Sequence, residues 1–292
     1  MIISKITDGI GNQMFQYAFG LFVALNKNQN LKIDNGWYQN IDECYAKRIF
    51  LLDQMNIEPS YATEREIIKI REPKYPIIIN SVYLRWQYSL PSYRRHYYKE
   101  VNPFTYDFNT GQLPNNCYLE GFFQSFKYLD INRNILLNNF FPKHKSTRFN
   151  TLSEKINNEP NSVAIHFRLG DYKIPGRLHY CLNQEYYDNA IILIRQNIEN
   201  PKFYVFSDEI EKVKSFFDLE NAVFIENDSD NEIEDMFLMS QCKHNIIANS
   251  TYSWWSAWLN KNENKLIVAP LKWFSDESID TNDLIPSEWT RI

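Results

Sequence analysis

The stretch His166-Phe167-Arg168-Leu169-Gly170-Asp171-Tyr172 puts an imidazole, a guanidinium and a carboxylate into one short segment. It follows the apolar run Ser162-Val163-Ala164-Ile165. A short apolar run that ends in turn chemistry reads as a buried parallel strand leading into a loop. Open α/β sheets bind ligands just outside the carboxyl ends of their strands. A guanidinium delivered there suits phosphate, because its planar fork of donors matches phosphate oxygens two at a time. The competing reading pairs Arg168 with Asp171 as a local ion pair on a surface turn.

Glycine usage points to the same kind of place. The chain has 8 glycines in 292 residues, where average usage of roughly 7% would give about 20. Gly9, Gly11 and Gly20 fall near the start, Gly121 lies in Leu119-Glu120-Gly121-Phe122-Phe123-Gln124-Ser125, and Gly170 and Gly176 flank Asp171. Glycine permits backbone conformations and close approach that other residues do not. Asp8-Gly9-Ile10-Gly11-Asn12-Gln13-Met14 sits between an expected strand and an expected helix, where a backbone-lined anion site forms at a helix N-terminus. It is not a dinucleotide fingerprint, because Met14 stands where the third glycine belongs. Nor is it a Walker loop. A tight connection with Asn12 as helix N-cap would also explain it.

Three further stretches sit at the same expected sheet edge. Ser250 or Thr251 can cap the helix that follows Ile246-Ile247-Ala248, leaving amides and hydroxyls suited to phosphate. Trp254, Trp255 and Trp258 in that helix read as core rather than as sugar platforms. Phe206-Ser207-Asp208-Glu209 closes another strand, and Asp208 could accept bonds from a guanine edge or a ribose, or cap the next helix. Asp228-Ser229-Asp230 has the spacing to hold a divalent metal against a diphosphate, but it lies in an acidic turn where such a pair arises by chance.

The elements that would position these residues alternate. Met1–Ile6 and Leu31–Asp34 read as strands around a helix at Gln13–Asn26. The region 36–117 is rich in Tyr, Arg and Pro and yields only one clear strand, Pro76–Asn80. Tyr118–Phe122 reads as a strand before a helix near Phe126–Asn138. Beyond it, strands at Ser162–Phe167, Lys202–Ser207, Ala222–Glu226, Asn245–Ala248 and Leu266–Ala269 alternate with helices at Gln184–Ile198, Glu209–Phe217, Glu232–Gln241 and Tyr252–Lys261. That alternation predicts a doubly wound parallel sheet. The expected division is an N-terminal, acceptor-side α/β domain over 1–150 and a C-terminal, nucleotide-binding α/β domain over 151–292.

Composition narrows the partners. Hydrophobic residues make up 44% of the chain, which is ample for a core, and the net charge is −5. Nucleic-acid binding needs a basic surface and is not expected. Cys44, Cys117, Cys181 and Cys242 are widely spaced and read as free thiols of a reducing compartment. The start Met1-Ile2-Ile3-Ser4-Lys5-Ile6 does not read as a signal peptide, and no uncharged apolar run reaches about 18 residues. A cytoplasmic protein is expected.

Taken together, Gly9–Ala18, Glu120–Ser125 with Lys127-Tyr128, His166–Tyr172, and Asn249–Trp255 with Ala257-Trp258 resemble, in order, the motifs of bacterial α-1,2-fucosyltransferases. These are glycosyltransferase family 11-like members of the His-x-Arg-Arg-x-Asp fucosyltransferases. Phe206-Ser207-Asp208 is a weaker fifth match. The resemblance implies a GT-B-like fold of two facing Rossmann-type domains. It implies GDP-β-L-fucose as donor, inversion at the anomeric carbon, the 2-hydroxyl of a terminal galactose as acceptor, and no metal or other cofactor. Arg168 would hold the diphosphate, and His166 and Asp208 would contact the guanosine. Gly9, Gly11 and Asn12 would approach the diphosphate or fucose, with Ser250 and Thr251 at the phosphate. Arg168, Asp171 and Asn12 form the expected catalytic set. Asp171 is the first candidate for general base, with Asp8 and Glu120 behind it, although it could equally brace Arg168. A lipid-linked acceptor would bring the enzyme loosely to the inner membrane surface.

Two departures stand out. Leu169 replaces the second motif arginine, so Arg168 carries more of the charge or another basic residue compensates. Asp8 replaces a glycine beside an expected anion site. Three other readings remain: a metal-dependent GT-A glycosyltransferase centred on Asp228 and Asp230, a non-catalytic nucleotide- or glycan-binding protein, and, disfavoured by Met14, a nicotinamide-dependent oxidoreductase.

Overall fold

The computed structural model describes residues 1–39, 48–71, 77–169, 178, 180–217, 219–226 and 232–292. The chain divides into two compact units, one of Met1–Phe140 with Thr281–Ile285 and one of Phe141–Asp280 with Pro286–Ile292.

The first unit runs β1 (Ile2–Lys5), α1 (Ile10–Asn26), β2 (Leu31–Asp34), α2 (Glu64–Arg71), α3 (Ile77–Ser89), β3 (Tyr97–Lys99), β4 (Cys117–Glu120) and α4 (Arg133–Asn139). Its four strands are all parallel in the order β2-β1-β4-β3. Helix α1 lies close against the sheet. A methyl group at Gly20 would come within 2.8 Å of Leu31 Cδ1 and 2.9 Å of Ser4 Cβ. Aromatic rings fill the space beside it: Phe19 stacks on Phe123 with centroids 3.9 Å apart and meets Tyr128 edge-on at 4.7 Å.

Helix α1 starts at Ile10 rather than Gln13. Gly9 is its N-cap, in extended conformation, and the Gly9 carbonyl accepts from the amides of Asn12 and Gln13. Gly11 and Asn12 are therefore first-turn residues, and Asn12 is not the cap. The strand expected at Pro76–Asn80 is instead the start of α3 from Ile77 onward. A run of isoleucines favours a strand only weakly, and context overrides so small a preference. The fourth strand is β3, which hides among tyrosines and basic residues.

The second unit runs α5 (Thr147–Asn158), β5 (Ser162–Phe167), α6 (Gln184–Asn197), β6 (Lys202–Ser207), α7 (Ile210–Phe216), β7 (Ala222–Phe224), α8 (Glu232–Gln241), β8 (His244–Ile246), α9 (Thr251–Trp258), β9 (Ile267–Ala269) and β10 (Thr290–Arg291). The sheet order is β10-β9-β8-β5-β6-β7, all parallel. A division at 150/151 would cut through α5. Val163, Ile165, Phe203, Val205, Ile246 and Val268 from four adjacent strands join one buried cluster with residues of α6 and α7. Trp254 and Trp255 are fully buried and Trp258 nearly so, which makes them core residues.

In both sheets the first strand is interior; in the second the chain winds outward from β5 in both directions, whereas in the first it passes to the edge strand β3 before returning to β4 beside β1. The order reverses between β1 and β4 in the first unit and between β5 and β8 in the second. The crevice outside the carboxyl ends of such a strand pair is where open α/β sheets bind ligands. The four quoted motifs open from the carboxyl ends of these four strands. The GT-B-like expectation of two Rossmann-type α/β units therefore holds.

Candidate active site

Strand β5 is buried along its whole length and brings His166 and Arg168 to the reversal point of the second sheet. Asp208 leaves the end of the adjacent β6. Its Oδ2 lies 3.5 Å from Arg168 Nε, and its Oδ1 accepts from the Leu169 amide at 3.1 Å. One carboxylate thus holds both the guanidinium and the backbone of the loop. Asp208 is not the cap of α7, because Glu209 occupies that position without a side-chain bond. Leu169 packs against the apolar cluster beneath the sheet. The position that resembles a second motif arginine is an apolar anchor.

His166 is buried, and Nδ1 has no hydrogen-bond partner among the described residues. Burial, with help from the Arg168 charge, lowers its pKa to about 4 against an opposing pull from Asp208. The ring is therefore a neutral imidazole at neutral pH. It lies 5.4 Å from the ring of Tyr252 in the first turn of α9. Ser250 is the N-cap of α9, and its hydroxyl accepts from the Ser253 amide at 3.2 Å. Thr251 begins the helix. Asn249 donates to the carbonyls of Tyr180 and Trp273 and so ties two loops to this edge.

Sequence reasoning missed Arg148. It pairs with the buried carboxylate of Asp235 at 2.8 Å and donates to the Glu226 carbonyl at 2.7 Å. The Tyr252 hydroxyl, its pKa raised first by burial and then by Asp235 and Glu232, feels both Arg168 and Arg148 as opposing charges. Asp171 and the pair Asp228 and Asp230 lie outside the described residues. Among those described, no group of three or more His, Cys, Asp or Glu could hold a metal.

In the first unit, Asp8 turns the chain with a φ of 69°. Its carboxylate accepts from the Gly9 amide at 3.1 Å and lies 3.9 Å from Arg48 Nε. A methyl group at Gly9 would sit 3.6 Å from Arg48 Nη1, so the guanidinium lies over the glycine backbone. The acid beside the expected anion site thus faces a base. Arg48 came from the stretch that gave no readable pattern.

Two fully buried glutamines hold this loop. Gln13 donates to the carbonyls of Asp8 and Ile49 and accepts from the Leu51 amide. Gln16 accepts from the Thr7 amide and donates to Thr7 Oγ1 and to the Gly121 carbonyl. Polar side chains three apart on an otherwise apolar helix were the available signal, since buried amides are kept only where they are hydrogen-bonded.

The loop after β4 is locked as well. Glu100, at the end of β3, accepts from the amides of Phe122 and Phe123. Burial pushes its carboxyl up to about 7, against the lowering effect of those amides. A methyl at Gly121 would overlap Glu100 Cβ and lie 2.5 Å from Oε2. What approaches this glycine is Glu100. Glu120 points elsewhere. Burial works to raise its pKa, but the Tyr97 hydroxyl and the ammonium groups of Lys5 and Lys99 hold it below the usual value. It is a poor candidate for a base. Finally, Gln124 Nε2 donates to Asn12 Oδ1 at 2.9 Å and bridges the two loops at the reversal point.

Two α/β units with basic and amide groups at the strand-order reversal of each parallel sheet have the frame of enzymes that bind anionic ligands outside the carboxyl ends of their strands. The sequence matches glycosyl transferase family 11 over residues 1–292, and the chain belongs to that family. It is 31% identical over 305 residues to the alpha-1,2-colitosyltransferase of Escherichia coli, covering 100% of this chain and 99% of that protein. It is also 31% identical over 293 residues to the O-antigen biosynthesis glycosyltransferase WbnK of Escherichia coli, covering 93% and 94%. Among solved structures it is similar to the fucosyltransferase NodZ from Bradyrhizobium, at 13% identity, covering 87% and 91% with a TM-score of 0.47. Its activity is glycosyl transfer. No helix among the described residues is long and apolar enough to cross a membrane.

Proposed function

We propose that this chain transfers a 6-deoxy-L-hexose from its GDP derivative to the 2-hydroxyl of a terminal galactose with inversion, L-fucose being the sugar. The observation that carries the reading is the second unit's reversal point. There Arg168, aligned by Asp208, shares one edge with neutral His166 and the N-terminus of α9. The bond from the anomeric carbon to the β-phosphate oxygen breaks, and its electron pair stays on GDP. Donors fixed before that charge develops, with Arg168 foremost, are the main catalytic device. The acceptor O-2 bonds to the anomeric carbon from the opposite face and gives its proton to a base. Asp171 is the group assigned to that step, because Glu120 is held by lysines and Asp8 faces Arg48.

The relative that carries colitose in its name makes the 3-deoxy congener of fucose the rival donor sugar. Transfer from GDP-fucose or GDP-colitose to a panel of galactosides in EDTA, read by mass and linkage analysis, tests the reading. Fucose at O-2 of galactose is the expected product. Colitose transfer alone would replace the sugar but keep the site. Transfer only with an added divalent metal would favour the reading centred on Asp228 and Asp230. No release of GDP with any acceptor would favour a non-catalytic protein.

A further inference from the structure

Helix α3 turns an apolar stripe to solvent. Ile79, Val82 and Trp86 are 55%, 63% and 52% exposed. Their spacing of three and four residues puts them on one face of the helix. The other side is anchored by Gln87, which is buried and accepts from the His96 amide at 3.2 Å. The Tyr83 ring lies 6.0 Å from that of Trp86, and Tyr88 is exposed one turn from Leu84 at the end of the helix. Arg85 is exposed beside the stripe. Contiguous apolar side chains on a folded surface mark a contact with another protein or with a membrane. We propose that α3, with the short turn Ser92–Arg94 that follows it, docks this chain on the surface of an anionic phospholipid bilayer.

Charge selects the occupant. Residues 77–99 hold Arg85, Arg94, Arg95 and Lys99 and no aspartate or glutamate, in a chain whose net charge is −5. The cations are therefore gathered locally on an otherwise acidic molecule. Lys99 is paired with Glu120, but Arg85, Arg94 and Arg95 have no acidic partner among the described residues. Arg95 donates to the carbonyls of Tyr88 and Leu90, which fixes its charge at the C-terminal end of α3. Arg94 is exposed, with its guanidinium 5.9 Å from the Tyr93 ring. Tryptophan and tyrosine settle at the headgroup level of a bilayer, aliphatic side chains reach just below it, and arginine is drawn to anionic lipid. A second copy of the chain fits less well. A two-fold contact sets the same patch against itself, which would bring Arg85 and Arg94 of both copies together. At 13 residues α3 is too short to cross a bilayer and would lie along its surface. Nothing in this surface depends on which sugar is transferred.

Flotation of the full chain with lipid vesicles tests the proposal. Vesicles of phosphatidylcholine alone are compared with vesicles that also carry phosphatidylglycerol, at low and at high salt. One variant combines Val82→Gln with Trp86→Ala, and the other combines Arg85→Glu with Arg94→Glu. The parent should partition onto the anionic vesicles in preference to the neutral ones, and salt should weaken that binding because exposed charges are screened. Each double variant should lose at least about tenfold in partition coefficient, as the lost apolar burial and the lost charge attraction imply. The Tm should stay parental, because all four side chains are exposed. If a double variant does not keep its Tm, the single changes Trp86→Ala and Arg85→Gln decide. Failure of the parent to bind anionic vesicles, equal binding to neutral ones, or parental binding by either double variant would overturn the proposal. So would a dimer, seen by sedimentation velocity, that dissociates on Val82→Gln with Trp86→Ala, because the stripe would then belong to a second copy.

Discussion

Arg168, Asp208 and Leu169 divide the work of one loop. Asp208 faces Arg168 at 3.5 Å and takes the Leu169 amide, while the leucine side chain anchors into the core. Asp208 braces Arg168, while the bracing weighed from sequence for Asp171 falls outside the described residues. Partly exposed ion pairs contribute only about 0–1 kcal/mol. Asp208→Asn, which keeps an acceptor for the Leu169 amide, should therefore weaken GDP binding by only a few-fold. Asp171→Asn, if Asp171 is the base, should lower kcat by orders of magnitude with GDP affinity unchanged. Calorimetry beside steady-state kinetics separates the two. The opposite pattern would exchange their roles. His166 gives a pH signature. Its folded pKa of about 4 lies below the 6.5 of the unfolded chain. The unfolded state then binds the extra proton, so stability present above pH 6.5 is lost as pH falls toward 4. Replacing His166 with a neutral residue should flatten Tm against pH over that window. That His166, Arg168 and Asp208 stand at the ends of strands was legible in the sequence, because each closes an apolar run. That Asp208 serves Arg168 was not, since the contact spans two strands.

At the scale of elements, β5 to β9 and α6 to α9 of the second unit were legible to within a few residues, because short apolar runs alternate with helical ones, whereas α5 and β10 were not expected. Strand β3 and helices α2 and α3 were not legible. Tyrosine and arginine fit either element, and the isoleucines of α3 resemble a strand. The loops after β1 and β4 were marked by their glycines, yet two of the glycine readings changed meaning. Gly20 serves close packing of α1 on the sheet, and Gly121 makes room for Glu100 rather than for a ligand. Gly121→Ala should displace the Glu100 carboxylate and strip the Phe122 and Phe123 amides of their partner. Buried groups left unpaired cost about 1–3 kcal/mol each. The expected result is a lowered Tm together with reduced turnover, since the same loop carries Gln124. A variant with parental Tm and kinetics would show that this lock is dispensable.

For the whole molecule, the repeated design is a parallel sheet whose first strand is interior, with basic and amide groups standing where the strand order reverses. Sequence alone indicated the sheets but not the order of their strands, which depends on pairings far apart in the chain. The account's central claim is that Arg168 at the second reversal point holds the diphosphate of GDP without a metal. Calorimetric titration of GDP and UDP in EDTA into the full chain, beside Arg168→Ala, tests it most directly. The account predicts GDP binding in preference to UDP, at least tenfold weaker GDP binding in Arg168→Ala as a charge-assisted bond of roughly 1.5–3 kcal/mol implies, and an unchanged Tm. Parental GDP affinity in Arg168→Ala, or binding that appears only when a divalent metal is restored, would contradict it.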